Sequence, residues 1–169
     1  HMAGLISPQF FEIKSICDER GIFIIEDAAH AHGASVDGVM AGNLGEVGCF
    51  SFYPTKILTT AEGGMLLCSD KELYEKANSF RNRGRDMSTQ TEVYSRLGTN
   101  NRMTEFAALM GISQLKFLNR FLRTRRTIAG IYNERIQASN ISHLAQPIIA
   151  PEKINHAYWR YLITLDSSI

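Results

Sequence analysis

Residues 22–34 read IFIIEDAAHAHGA, an apolar run that ends in two carboxylates and continues as small residues carrying two histidines. Ile22, Phe23, Ile24 and Ile25 are too few for a helix and lack the alternation of a half-exposed strand. Such a run suits a central parallel strand covered on both faces. Asp27 then falls at the carboxyl end of the strand, where open α/β sheets place their ligand crevices. A carboxylate there needs a cation, a set of amides or an ion, because a lone buried charge is costly. Asp27 could equally cap the turn that follows it, or join His30 and His32 as a metal ligand. No second cluster of ligating residues supports the metal reading.

Working outward, Ser7 and Pro8 form a helix-start signal. Phe10, Ile13, Ile16 and Cys17 follow at helical spacing until Gly21. Downstream, residues 47–52 and 65–68 are short apolar runs bordered by glycines. Ser69, Asp70 and Glu72 after the second suggest a capping box and a helix over 71–80. Residues 84–101 are polar and without period, which predicts a long loop of the kind that is often functional. The apolar spacing from 104 to 136 predicts one long helix or two in succession. Residues 146–153, with Pro147 and Pro151, read as a linker, and 158–165 return to strand character. The alternation of strands and helices predicts an α/β fold.

The chain has 169 residues, 44% hydrophobic and 21% charged, with a formal net charge of +1. This balance speaks against a nucleic-acid partner held by bulk electrostatics. No run approaches the roughly 18 apolar residues of a membrane helix, and the start of the chain has no basic segment leading into an apolar one. Cys17, Cys49 and Cys68 are odd in number and lack CxxC spacing, which fits a reducing compartment. A cytoplasmic protein without a membrane partner is therefore expected. His1 and Met2 read as an appended scar. Arg120, Arg123, Arg125 and Arg126 form the densest basic cluster and are read as a solvated helix face or a contact with another subunit.

Lys56 closes FSFYPTK (50–56), with Ser51, Thr55, Thr59 and Thr60 around it and few other charges. Desolvation in such a loop lowers an ammonium pKa and makes a Schiff-base nucleophile, although a solvated lysine fits the pattern too. Glu62, Gly63 and Gly64 offer a tight turn that could approach a ligand. No GxGxxG or GxxxxGKS loop occurs, so dinucleotide and nucleoside triphosphate readings lose support.

EDAAHA (26–31), FSFYPTK (50–56), TAEGGM (60–65) and GTNNRMTEFAALMGISQL (98–115), in that order, resemble the DegT/DnrJ/EryC1/StrS group of pyridoxal-phosphate-dependent sugar aminotransferases. The resemblance covers roughly residues 22–120. It implies part of a three-layer fold type I large domain, with a mostly parallel sheet and helices, over 3–120. A connecting helix and the start of a small C-terminal domain would follow over 121–169. It implies pyridoxal 5'-phosphate as cofactor, with Asp27 paired to the pyridine nitrogen, Ser51 on the phosphate and Lys56 as Schiff-base lysine. His30 stands near the ring, where the family more often has Gln. Asn100 reaches the phosphate of a partner subunit, which implies a homodimer with shared sites, while Asn101 replaces a commoner aromatic.

The implied substrates are an amino-acid donor, usually glutamate, and a nucleotide-linked keto-sugar. Relatives that are dehydratases carry His where this chain has Lys56. A non-catalytic relative that keeps the fold is a further alternative. Family members are roughly twice this length, so the chain is expected to be an internal piece with apolar surface exposed where further strands would pair.

Overall fold

The structure, a computed structural model, describes residues 1–166; the last three residues of the expected 121–169 segment lie outside the described residues. The first helix, α1 (Phe10–Glu19), begins later than the Ser7–Pro8 signal predicts. The Ser7 hydroxyl accepts from the Gln9 amide at 3.3 Å, two residues on, and so closes a turn instead of capping the helix. The helix ends where expected. Gly21 takes a left-handed φ of 62°, and the Ile22 amide reaches back to the Cys17 carbonyl at 2.8 Å.

The apolar run then departs from expectation. The strand β1 is Ile25–Asp27, shifted toward the carboxylates, and Ile22, Phe23 and Ile25 are 50%, 48% and 63% exposed. The reason lies in pairing: β1 has β4 (Val47–Ser51) as its parallel neighbour and a free second edge among the described residues. Among the described residues parallel pairing is confined to these two strands; β5 (Gly64–Cys68) joins β4 antiparallel, with Ser51 opposite Gly64.

Two further sheets of short strands are antiparallel throughout. β2 (Ser35–Val36) lies between β3 (Val39–Met40) and β7 (Ile154–Asn155), and β6 (Ala145–Pro147) pairs with β8 (Ile163–Leu165). The expected linker at 146–153 therefore opens as a strand. Of the expected strand at 158–165 only Ile163–Leu165 form β8, while Tyr158 adopts a left-handed φ of 49° that an extended strand does not hold.

The helix α2 (Lys71–Arg81) is capped by Asp70, whose carboxylate accepts from the Leu73 amide at 3.0 Å. Ser69 does not cap it; its hydroxyl donates to the Glu46 carbonyl at 3.1 Å. Residues 84–101 form a loop with two isolated antiparallel bridges, Asn82 to Asn100 and Arg85 to Tyr94. The long periodic stretch resolves into two helices, α3 (Glu105–Leu115) and α4 (Leu118–Gln137). No residue of α3 is buried, although Phe106, Leu109 and Ile112 are large and apolar. Among the described residues no helix is long and apolar enough to cross a membrane.

The core gathers around the small residues of the opening motif. Ala28, Ala31 and Ala34 are fully buried, with Ile6, Leu44, Ile57, Leu122 and Ala157 in the same cluster. Small side chains let the main chain after β1 fold back on itself and admit Leu122 of α4. The 42–45 segment crosses β4 just as closely: a Cβ on Gly48 would collide with the main chain of Gly42, and a Cβ on Gly42 would collide with the Phe50 ring.

Candidate active site at the carboxyl end of the sheet

Two adjacent carboxylates on β1 take opposite roles. Glu26 points inward, and its carboxylate accepts from the amides of Gly42, Leu44 and Gly45 at 2.7, 2.6 and 2.7 Å, with the His1 ring nitrogen at 2.9 Å. It anchors the segment that crosses β4, and the sequence reading passed over it. Asp27 is exposed; one oxygen accepts from the Ala29 amide at 3.0 Å, and no cation pairs with it among the described residues. The capping alternative is thus met by one oxygen while the other stays available.

Lys56 lies on the connection between β4 and β5, whose ends are tied by the Phe52 amide donating to the Gly63 carbonyl at 2.8 Å. Ile57 and Leu58 bury the loop's middle. Thr59 donates its hydroxyl to the Phe52 carbonyl at 2.9 Å, and its amide donates to Gln114 of α3 at 3.1 Å. Ser51 sits at the end of β4 and accepts from the Tyr53 amide at 3.3 Å. A loop so fixed presents Lys56 from a held backbone, half-buried and without a carboxylate partner among the described residues.

The two histidines of the motif diverge. His30 stacks flat on Trp159, ring centres 3.7 Å apart and planes within 8°. Burial, then the Lys56 charge, lowers its pKa, with Asp27 opposing, so His30 stands within the influence of both site charges. His32 is buried against Phe50 and Phe52, and neither ring nitrogen has a well-formed hydrogen bond. Among the described residues no group of three His, Cys, Asp or Glu could hold a metal ion.

Trp159 is the residue that sequence reasoning missed. Its indole N–H donates to the Thr55 carbonyl at 2.7 Å, next to Lys56, whose Nζ lies 4.8 Å from the ring centre. Its being the chain's single tryptophan was the available signal. The segment that carries it is held from α4: Arg125 donates to the Tyr158 and Trp159 carbonyls at 3.0 and 3.3 Å, and Arg126 to those of His156 and Gly33 at 3.0 and 3.4 Å. Half of the arginine cluster is therefore turned onto the chain's own carbonyls and is not a fully solvated face. Arg126→Ala is expected to cost about 1–3 kcal/mol, because the buried His156 carbonyl loses its charged donor. Denaturant titration followed by Trp159 emission reads both the loss and the displaced ring, and unchanged curves would count against the clamp.

Asn100 belongs to a different part of the fold. It bridges to Asn82 at the end of α2, and its side-chain oxygen accepts from Arg102 at 3.0 Å. It is exposed, and among the described residues no hydrogen bond joins it to Asp27, Ser51 or Lys56.

The donor set fits pyridoxal phosphate. An unpaired carboxylate suits a protonated pyridine nitrogen, a held lysine without a counter-ion suits a carbonyl carbon, and the Ser51 hydroxyl, oriented by the Tyr53 amide, offers its own hydrogen to a phosphate. The curated relatives agree with this chemistry. The chain is 34% identical over 148 residues to the GDP-perosamine synthase of Escherichia coli O157:H7, covering 88% of this chain and 39% of that protein. It is 34% identical over 156 residues to the UDP-N-acetyl-3-dehydro-alpha-D-glucosamine 3-aminotransferase of Acidithiobacillus ferrooxidans, covering 92% and 40%. The crystal structure of the aminotransferase TlmJ from Streptoalloteichus hindustanus superposes with a TM-score of 0.90 at 32% identity, over 99% of this chain and 45% of that one. The chain spans about two fifths of the length of the curated relatives it matches. With a family model matching residues 1–169 on top of the site geometry, the chain belongs to the DegT/DnrJ/EryC1/StrS aminotransferase family.

Proposed function

We propose that the protein takes part in pyridoxal-phosphate-dependent transfer of an amino group from an amino acid, glutamate being the expected donor, to a keto group on a nucleotide-linked sugar. The observation that carries this reading is that Lys56 and His30, three residues after Asp27 at the end of β1, meet on the Trp159 ring, with neither Asp27 nor Lys56 ion-paired among the described residues. Pyridoxal phosphate, when bound, supplies an electron sink for carbanion character at the donor α-carbon and carries the amine between the two half-reactions. Asp27 would keep the proton on the pyridine nitrogen. Lys56 would hold the cofactor through its amine and, once displaced, move a proton to and from the donor α-carbon. Ser51 would bind the phosphate, and the His30–Trp159 stack would shape the wall beside the ring.

The domain boundary is proposed near 120, with 3–120 as the cofactor-binding part and 121–169 as connecting helix and start of the small domain; α4 runs unbroken across it. The exposed apolar faces of β1 and α3 and the outlying position of Asn100 support a homodimer in which Asn100 serves the partner's site. Cytoplasmic location is part of the same proposal. Lys56 stands where dehydratase relatives carry His, which favours amino transfer over dehydration.

Borohydride reduction of the protein incubated with pyridoxal phosphate, followed by peptide mapping, tests the reading. Label is expected at Lys56 and lost in Lys56→Ala; scattered label, or none, would overturn it.

A further inference from the structure

Two cations lie against the Trp159 ring. Lys56 Nζ lies 4.8 Å from the ring centre and the Arg160 guanidinium carbon 4.4 Å from it. Neither cation pairs with a carboxylate among the described residues. His30 stacks on the same ring, and its pKa is lowered by burial first and then by Lys56, with Asp27 opposing and Arg160 the smallest cause. Cations gathered on one ring repel each other, and an anion between them relieves that repulsion.

The backbone that carries Arg160 is held. Its own amide donates to the Ala3 carbonyl at 3.3 Å, and the preceding carbonyl, that of Trp159, accepts from Arg125 at 3.3 Å. A guanidinium lying on an aromatic plane keeps its N–H edges free, and those edges match a carboxylate with two parallel donors.

We propose that Arg160 is a specificity-determining residue that binds the α-carboxylate of the amino-acid donor, lying on Trp159 so that the donor's amine faces Lys56. The proposal rests on the assignment of Lys56 as the cofactor lysine. One carbon separates amine from carboxylate in an α-amino acid, so a donor whose nitrogen replaces the Lys56 amine must place its carboxylate in the neighbouring space. Arg160 is the unpaired cation that shares the ring with Lys56. The diphosphate of a nucleotide sugar is the other oxyanion source at such a site, and the test separates the two.

The experiment uses wild type and Arg160→Met, which keeps an unbranched stem over Trp159 and removes the charge. Trp159 emission is titrated with glutarate, an unreactive dicarboxylate, and separately with GDP. In the protein loaded with pyridoxal phosphate, the glutamate concentration for half-conversion of the cofactor from its aldehyde to its amine form is read from absorbance. The expected result is a saturable glutarate response, weakened about tenfold or more in Arg160→Met, with a matching rise in the glutamate concentration. An equal response in both proteins would overturn the proposal, and so would a response to GDP that depends on Arg160 while glutarate has no effect. The borohydride label separates the two levels. With Lys56 labelled, these outcomes bear on Arg160 alone, whereas a missing label removes the parent reading and the proposal with it.

Discussion

Replacing Glu26 with alanine is expected to destabilise the fold by roughly 3–5 kcal/mol, since three amide donors lose one acceptor at once and each buried unsatisfied donor costs about 1–3 kcal/mol. Gly42 and Leu44 are buried, so water cannot easily take the place of the carboxylate there. Glu26→Gln is the informative companion. Its amide oxygen can still serve Leu44 and Gly45, but its NH2 group would face the Gly42 amide, donor against donor. An intermediate loss is expected. Denaturant midpoints read both values; an alanine variant within about 1 kcal/mol of wild type would mean the 42–45 segment is held by other contacts.

Acid should weaken the protein well before its carboxylates titrate. His32 and His156 are each lowered from the ordinary imidazole value of 6.5 to about 4. Burial is the main cause for both, assisted by Lys56 at His32 and by Arg126 at His156, where a hydrogen bond to Gly4 opposes it. The unfolded chain binds protons at these rings first. Stability is therefore full above about pH 6.5, falls as the pH drops toward 4, and loses nothing more from these groups below that. The loss is up to about 3 kcal/mol per histidine. His30, lowered in the same direction, adds to the trend. Unfolding free energies measured at steps between pH 7.5 and 4.5 should trace this slope, and His32→Leu should flatten part of it. A flat profile from pH 7 to 5 would refute the assignment.

Local chemistry that depends on neighbours in the chain was legible in the sequence. The Gly21 stop, the start of α2 and the two strands on either side of the Lys56 loop follow from turn residues, caps and apolar runs, and the ordered motifs named the family. What failed depended on partners distant in the chain. Residues 22–25 read as a doubly covered strand because four apolar residues announce burial without saying which neighbour supplies it. Here one edge of β1 is open, and the pairing moves to Ile25–Asp27. Trp159 was invisible as a site residue because its meaning comes from stacking on His30, 129 positions earlier, and from a carbonyl beside Lys56. Arg125 and Arg126 looked solvated because charge on a helix usually is, and only the path of the 156–159 backbone brings carbonyls within their reach.

The crossing of the 42–45 segment over β4 limits how this family member can drift. Gly48 faces the main chain of Gly42, so an evolving lineage that acquires alanine at 48 cannot be rescued by trimming a neighbouring side chain, because the obstacle has none. Gly42 is constrained twice, by the Phe50 ring and by a left-handed φ of 92° at which a side chain is strained even where there is room for it. In a randomised library, position 48 should therefore return only glycine, and trimming Phe50 should not by itself free position 42.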